Sequence, residues 1–228
     1  MKKNIIIIIL LLLVVLISGC GKTNENTKKG EQEMEPNVRI ITQDTNGEIT
    51  KGEIEGYTFT VCNEETDRVK IQMEDGSVIL AVLSNNEAPI TIANFKKLVS
   101  EKFYDGIIFH RVIEGFMIQG GDPTGTGMGG SKETIKGEFT ANGVQNSLKH
   151  TRGVLSMARS SNMNSASSQF FIMHADYPSL DGQYASFGKV FAGLDEVDKI
   201  ATTSTDSNDK PLTEQKIKSI RFITVEKA

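Results

Sequence analysis

The chain has 228 residues, room for one good-sized domain and a tail, and its 25 basic and 29 acidic side chains give a formal net charge of −4. No basic block or stripe is present, so binding to a phosphate backbone through counterion release is excluded as its business, and nucleic acid is not an expected partner. Two cysteines, Cys20 and Cys62, in very different settings exclude a disulfide framework, and three histidines with no paired ligand spacing argue against a structural zinc site.

In chain order, Lys2 and Lys3 open a short positive start, followed by an unbroken apolar run over residues 5–17. That run is shorter than the roughly 20 residues a spanning helix needs and suits the core of a signal peptide. It ends in Leu16-Ile17-Ser18-Gly19-Cys20, which resembles the lipobox of bacterial lipoproteins. The resemblance implies a signal peptide over 1–19, removed before Cys20, and acyl chains on Cys20. Two or more chains on one residue suffice for stable anchoring, which implies a place at the cell membrane, on its outer side. Residues 20–36 then carry a single large apolar side chain, Met34, and read as a lipid-anchored flexible linker with a reach on the order of 20–25 Å.

Residues 37–66 read as an N-terminal β extension, an extra hairpin with strands near 38–41 and 57–61 and no purpose the sequence names. The folded domain proper is expected over 67–228. Strands at 69–73 and 77–83 flank Glu74-Asp75-Gly76, a hairpin signal. A helix over 91–102 follows, with Thr91 as N-cap and Ile92, Phe95, Leu98 and Val99 on one face. Short apolar runs at 107–112, 116–119, 154–158, 170–173 and 187–191 are separated by glycine-rich loops, with a second helix at 194–201 and a closing strand at 217–225. Many short strands and only two helices predict a mainly β barrel or sandwich.

Two patterns suggest chemistry that the rest of the sequence does not support. Residues 125–130 fit G-x-G-x-x-G, but no buried strand leads in and no helix leads out. His174 and Asp176, with Ser165, Ser167 or Ser168 nearby, lack the sharp turn that presents a nucleophile. A hydrolase would need a nucleophile–base pair that the sequence does not offer. In 107–112 strict alternation puts Arg111 on the same side as Ile107 and Phe109, where a guanidinium needs a partner or a task.

The segment Phe109-His110-Arg111-Val112-Ile113-Glu114-Gly115-Phe116-Met117-Ile118-Gln119-Gly120-Gly121-Asp122 resembles the signature of the cyclophilin family of peptidyl-prolyl cis/trans isomerases. The likeness continues in order through Gly125–Gly130, Gly137-Glu138-Phe139, residues 153–158, residues 168–172, Leu180-Asp181-Gly182 and residues 187–190, covering roughly 67–225. It implies a closed eight-stranded β-barrel capped by two helices, with an active groove on its outer surface. By the same resemblance, Arg111 is catalytic and acts on the carbonyl before proline, and Gln119 positions it. Phe116, Met117, Phe171 and Leu180 hold the proline ring, Ala158, Arg159 and Gln169 border the substrate backbone, and Tyr184 closes the wall. His110 is expected to act as support. No cofactor and no metal are needed, because no covalent bond breaks.

Three positions depart from the family's pattern. Ser179 stands where eukaryotic members carry a tryptophan that contributes to cyclosporin binding, which implies weak inhibition by that drug. Tyr184 replaces a histidine common in the pocket, and Arg159 replaces a common asparagine. The expected partners are proline-containing unfolded or secreted polypeptides, with the chain itself a monomer. A proline-peptide binding module or holdase using the same groove with little turnover is the alternative.

Overall fold

The structure is a computed structural model that describes residues 36–227; the predicted signal segment, Cys20 and the linker up to residue 35 lie outside the described residues. Three strands come first: β1 (Arg39–Gln43), β2 (Ile49–Ile54) and β3 (Tyr57–Val61). They form a meander of three strands where the sequence suggests a hairpin of two. The middle strand, with Gly52 and alternating charges, has little strand signal of its own. It forms because its ends are tied by tight turns. The Asp44 carboxylate accepts from the Asn46 and Glu48 amides at 2.8 and 2.9 Å, and Glu55-Gly56, both at positive φ, make the kind of two-residue turn that matches strand twist.

The remaining strands are β4 (Arg68–Met73), β5 (Val78–Leu83), β6 (Arg111–Ile113), β7 (Met117–Gly120), β8 (Val154–Met157), β9 (Phe170–Met173), β10 (Ser186–Ala192) and β11 (Ile217–Lys227). Two helices accompany them, α1 (Pro89–Ser100) and α2 (Leu194–Ala201). All eleven strands form one antiparallel sheet in the order β1-β2-β3-β11-β4-β5-β10-β8-β9-β7-β6. This corrects the expected closed barrel of eight strands. Among the described residues no strand ladder joins the ends, β1 and β6, so the sheet is open. The extra strands come from the long β11: Ile217–Phe222 pairs with β4, and Ile223–Lys227 runs on to pair with β3. At the other end β6 is only three residues long. The chain before it touches the approach to β11 through an isolated bridge, Ile108 to Lys216, rather than a ladder.

Helix α1 begins two residues before the predicted start, at Pro89, whose fixed φ suits a first helical position. Thr91 is therefore inside the helix and does not cap it. The cap comes from far away in sequence: the buried Glu138 carboxylate accepts from the Ile90 amide at 3.0 Å and from the Thr91 amide and hydroxyl at 2.8 Å. A carboxylate there satisfies free amides and meets the positive end of the helix dipole.

The main core holds Val69, Ile71, Ile79 and Phe109 from the sheet side and the α1 face Ile92, Phe95, Leu98 and Val99. Phe95 sits at its centre, with ring centroids 5.2 Å from those of Tyr104 and Phe187. A second apolar cluster lies between the extension and the rest of the sheet, where Val38, Ile49, Ile54 and Phe59 cover Val78, Leu80, Ala192 and Ile223. Beside it, Lys70 is fully buried and bonds Glu48, the Ile49 carbonyl at 2.6 Å and Gln72 Oε1 at 2.9 Å. A third, smaller cluster of Met117, Val154, Phe171 and Met173 is on the outer face of the sheet and builds the site described next.

Candidate active site

The hairpin of β6 and β7 carries the centre of the signature segment. Its register places Arg111 opposite Gln119, Val112 opposite Ile118 and Ile113 opposite Met117. Side chains alternate across a strand, so Val112 and Ile118 enter the main core while Arg111, Met117 and Gln119 share the outer face. Next along the ladder, Phe171 pairs with Gln119, and Ser156 pairs with Phe171. The alternation read over 107–112 does not hold. Ile107 and Phe109 belong to the main core, whereas Arg111 is on the groove side, because the regular strand begins only at Arg111.

These strands floor a cavity of about 600 Å³. Phe116, Met117, Phe171 and Leu180 form its apolar wall, and Tyr184 adds an edge-on ring 6.0 Å from that of Phe171. Arg111, Gln119, Ala158 and Arg159 line the rest of the wall from the predicted set. Gln169 is not on this cavity. It lines a neighbouring one of about 460 Å³ that shares Gln119, Ala158 and Arg159.

The polar contacts differ in part from the expected ones. Gln119 Nε2 donates to Gln169 Oε1 at 2.9 Å, and Gln169 Nε2 in turn donates to the Gly127 and Gly129 carbonyls. The Arg111 side chain has a different partner: its Nε lies 3.3 Å from Asp209 Oδ2. Arg159 is clamped between two rings, 4.6 Å from the Tyr184 centroid and 5.1 Å from that of Phe139, while donating to the Gln183 carbonyl.

The G-x-G-x-x-G segment is a loop folded around one carboxylate. Asp122 accepts from the amides of Thr124, Thr126, Gly127 and Gly129 at 2.7–3.1 Å and from the Thr124 hydroxyl. Burial opposes its ionisation, yet these donors prevail and hold its pKa at about 2. At the start of the loop, a Cβ on Gly121 would meet the Ser168 carbonyl oxygen at 2.3 Å, and φ there is +87°, so only glycine fits.

The predicted Ser–His–Asp decoy is dispersed. His174 Nδ1 accepts from the Gly115 amide at 2.8 Å and its Nε2 faces Asp198, while Ser168 donates to the Gly121 carbonyl. A different chain does form: His150 Nε2 is 3.0 Å from Ser156 Oγ, and His150 Nδ1 is 3.1 Å from Asp181 Oδ1. Ser156 is wholly buried, so it cannot meet a substrate. The chain props the pocket instead, with the His150 ring stacked 6.1 Å from Phe171.

His110 and His150 are both buried, and burial pushes both below the ordinary histidine value of 6.5, against the pull of Asp122 and Asp181 respectively. Among the described residues neither ring nitrogen of His110 has a hydrogen-bond partner. Below pH 6.5 the unfolded chain takes up protons that these folded sites resist, so stability should fall as the pH drops through 6.5 toward their depressed values. Urea midpoints for wild type and His110→Gln between pH 7.5 and 5.5 check this: the variant should show the shallower slope, and equal slopes would remove His110 from the account.

Sequence reasoning passed over the loop from Thr205 to Pro211. Asp206, Asn208 and Lys210 line the cavity, and Asp209 holds Arg111. The polar run at 206–210 signals a turn, but nothing in it says that the turn packs against β6.

Comparison with known proteins gives the family of the chain. The family model of cyclophilin type peptidyl-prolyl cis-trans isomerases matches residues 68–222. The chain belongs to this family. A relative called peptidyl-prolyl cis-trans isomerase-like 1 in Gibberella zeae is 42% identical over 71% of this chain and 98% of its own. The isomerase ppi1 of Schizosaccharomyces pombe is 44% identical over 65% of this chain and 94% of its own. Among solved structures, a Cryptosporidium parvum cyclophilin crystallised in the presence of the dipeptide ala-pro matches with a TM-score of 0.62 and 36% identity, over 68% of this chain and 97% of that one. Family membership makes the chain a peptidyl-prolyl cis/trans isomerase acting on proline-containing polypeptides. The family match begins at residue 68, so β1–β3 precede it.

Proposed function

We propose that the isomerase works by Arg111-assisted twisting of the X–Pro amide in the outer groove, on secreted or surface polypeptides as they fold. The observation that carries this reading is the cavity itself, where the Arg111 guanidinium lines the same space as the apolar side chains Phe116, Met117, Phe171 and Leu180. Planar amides exchange slowly because the barrier is about 18–20 kcal/mol. Twisting breaks the resonance and leaves a pyramidal, more basic prolyl nitrogen. A fixed guanidinium that binds this form better than the planar one lowers the barrier. Phe116, Met117, Phe171 and Leu180 hold the ring while the carbonyl side turns. Arg159 and Gln169 border the path of the flanking chain, and Gln119 supports Arg111 through its place in the ladder and its bond to Gln169.

The location is part of the same proposal. The lipobox-like sequence ending in Cys20 supports a chain anchored by lipid at the outer side of the cell membrane, working as a monomer at the end of the 20–36 linker. Among the described residues no helix is long and apolar enough to cross a membrane.

Two measurements test these points. Full-length chain in detergent micelles should accelerate cis/trans exchange of an X–Pro tetrapeptide well above buffer; exchange at the buffer rate with proline peptides still bound would make the groove a holdase. Cells fed labelled palmitate should label the wild-type chain and not Cys20→Ser, and equal labelling of both would dispose of the anchor.

A further inference from the structure

We propose that Asp209 is a positioning residue for the reaction, holding the Arg111 guanidinium by its Nε so that both Nη groups face the substrate. This rests on the reading of Arg111 as the residue that binds the twisted amide.

The contact is specific in where it lands. Asp209 Oδ2 meets Arg111 at Nε, 3.3 Å away, and among the described residues the Nη atoms of Arg111 make no hydrogen bond. An arginine on a groove rim otherwise samples many rotamers, and fixing Nε from behind removes that freedom without using the planar fork that a carbonyl would engage.

Asp209 is itself held rigidly. The Asp206 carboxylate accepts from the amides of Asn208 and Lys210 at 2.8 and 3.0 Å, the Asp206 amide donates to the Lys210 carbonyl, and Thr205 bridges Pro211. The turn so closed is pinned to β6, because the Val112 amide donates to the Asp209 carbonyl at 2.8 Å. One residue thus fastens the loop to the strand through its backbone and orients the neighbouring arginine through its side chain. Its φ is +64°, a left-handed conformation that aspartate, asparagine and glycine tolerate and most other residues do not. Position 209 therefore requires both a turn-forming backbone and a carboxylate, and aspartate supplies the two together.

The conformation also supplies the test. Asp209→Gly keeps the left-handed backbone and the bond to Val112 while deleting the carboxylate. Asp209→Asn keeps the backbone preference and an acceptor oxygen while deleting the charge. kcat/KM for an X–Pro tetrapeptide is measured for the full-length chain in micelles, as wild type, Asp209→Gly, Asp209→Asn, Arg111→Ala and Asp209→Gly/Arg111→Ala, with urea midpoints for each. Asp209→Gly should lose about five- to tenfold, mostly in kcat, with its midpoint near wild type, and Asp209→Asn should recover part of the loss. In the Arg111→Ala background Asp209→Gly should cost nothing further, which a purely structural role of the loop would not produce. Equal losses in both backgrounds, or none in either, would overturn the positioning role. If Asp209→Gly does not fold, the same cycle run with Asp209→Asn decides. Should Arg111→Ala itself leave the rate unchanged, the underlying reading of Arg111 fails, an outcome separate from the failure of Asp209.

Discussion

Arg111→Ala is expected to lower kcat/KM for an X–Pro tetrapeptide at least tenfold, about 1.4 kcal/mol of transition-state stabilisation, while leaving the fold intact. Loss of a single preorganised donor can cost as much as ~10²–10³ where water is excluded. The groove is open and Arg111 is partly exposed, so the effect should fall toward the lower end. Stability should barely move, since an exposed ion pair such as Arg111–Asp209 contributes little. Arg111→Lys separates charge from geometry. Lysine retains the positive charge but not the planar fork, so the rate should stay well below wild type if directed donors matter. The measurement is exchange by line-shape or saturation-transfer NMR, and a variant as fast as wild type would remove Arg111 from the mechanism.

Lys70→Ala is expected to destabilise the chain by about 3 kcal/mol, read as a lower urea midpoint at unchanged catalytic rate, because breaking one side of a buried pair strands the other. Lys70 is fully buried, and burial pulls its pKa down while Glu48 raises it. The Glu48 carboxylate also accepts from Ser219 at 2.8 Å and meets Arg221 at 3.4 Å, so it keeps some partners after the change. The Ile49 carbonyl and Gln72 Oε1 each lose a donor. Lys70→Met fills most of the space and should cost less than alanine, and Lys70→Met with Glu48→Gln less again. The site lies where β2 meets β4 and β11, so these variants weigh what the N-terminal strands contribute. A Lys70→Ala midpoint within error of wild type would mean that the extension is held by its apolar cluster alone.

Much of this molecule is legible locally. The α1 face of Ile92, Phe95, Leu98 and Val99, the α2 span, and the Asp-Gly turn between β4 and β5 all follow from spacing and turn chemistry that act within a dozen residues. The groove residues were named through the resemblance of the contiguous signature segment; in the structure the β6–β7 register puts Arg111, Met117 and Gln119 on one face, and Phe116 joins them from the turn before β7. What alternation could not show was where the strand begins. Reading it from Ile107 put Arg111 on the side of Ile107 and Phe109, whereas the register of β6 puts it on the groove side.

The errors share a cause, which is partners distant in sequence. Thr91 looked like a cap, but Glu138 arrives from another loop to do that work. Asp209 sat in an unremarkable polar turn until the fold laid that turn beside β6.

The sequence by itself determined the two helical faces and the Asp-Gly hairpin turn, because each depends on neighbours a few positions apart. Only the tertiary structure decided that the sheet is open with eleven strands, that β5 is buried on both faces, and that Lys70 and Gln72 are covered. In Arg68–Met73 those two side chains alternate with Val69, Ile71 and Met73, and in β5 Val78 and Leu80 alternate with Ile79 and Ala81. Lys70, Gln72, Val78 and Leu80 are covered on the face where β1–β3 dock along the far half of β11, and that pairing joins segments more than 150 residues apart. Strand pairing at such range depends on which surfaces remain to be covered after the local structure has formed, and no local pattern encodes it.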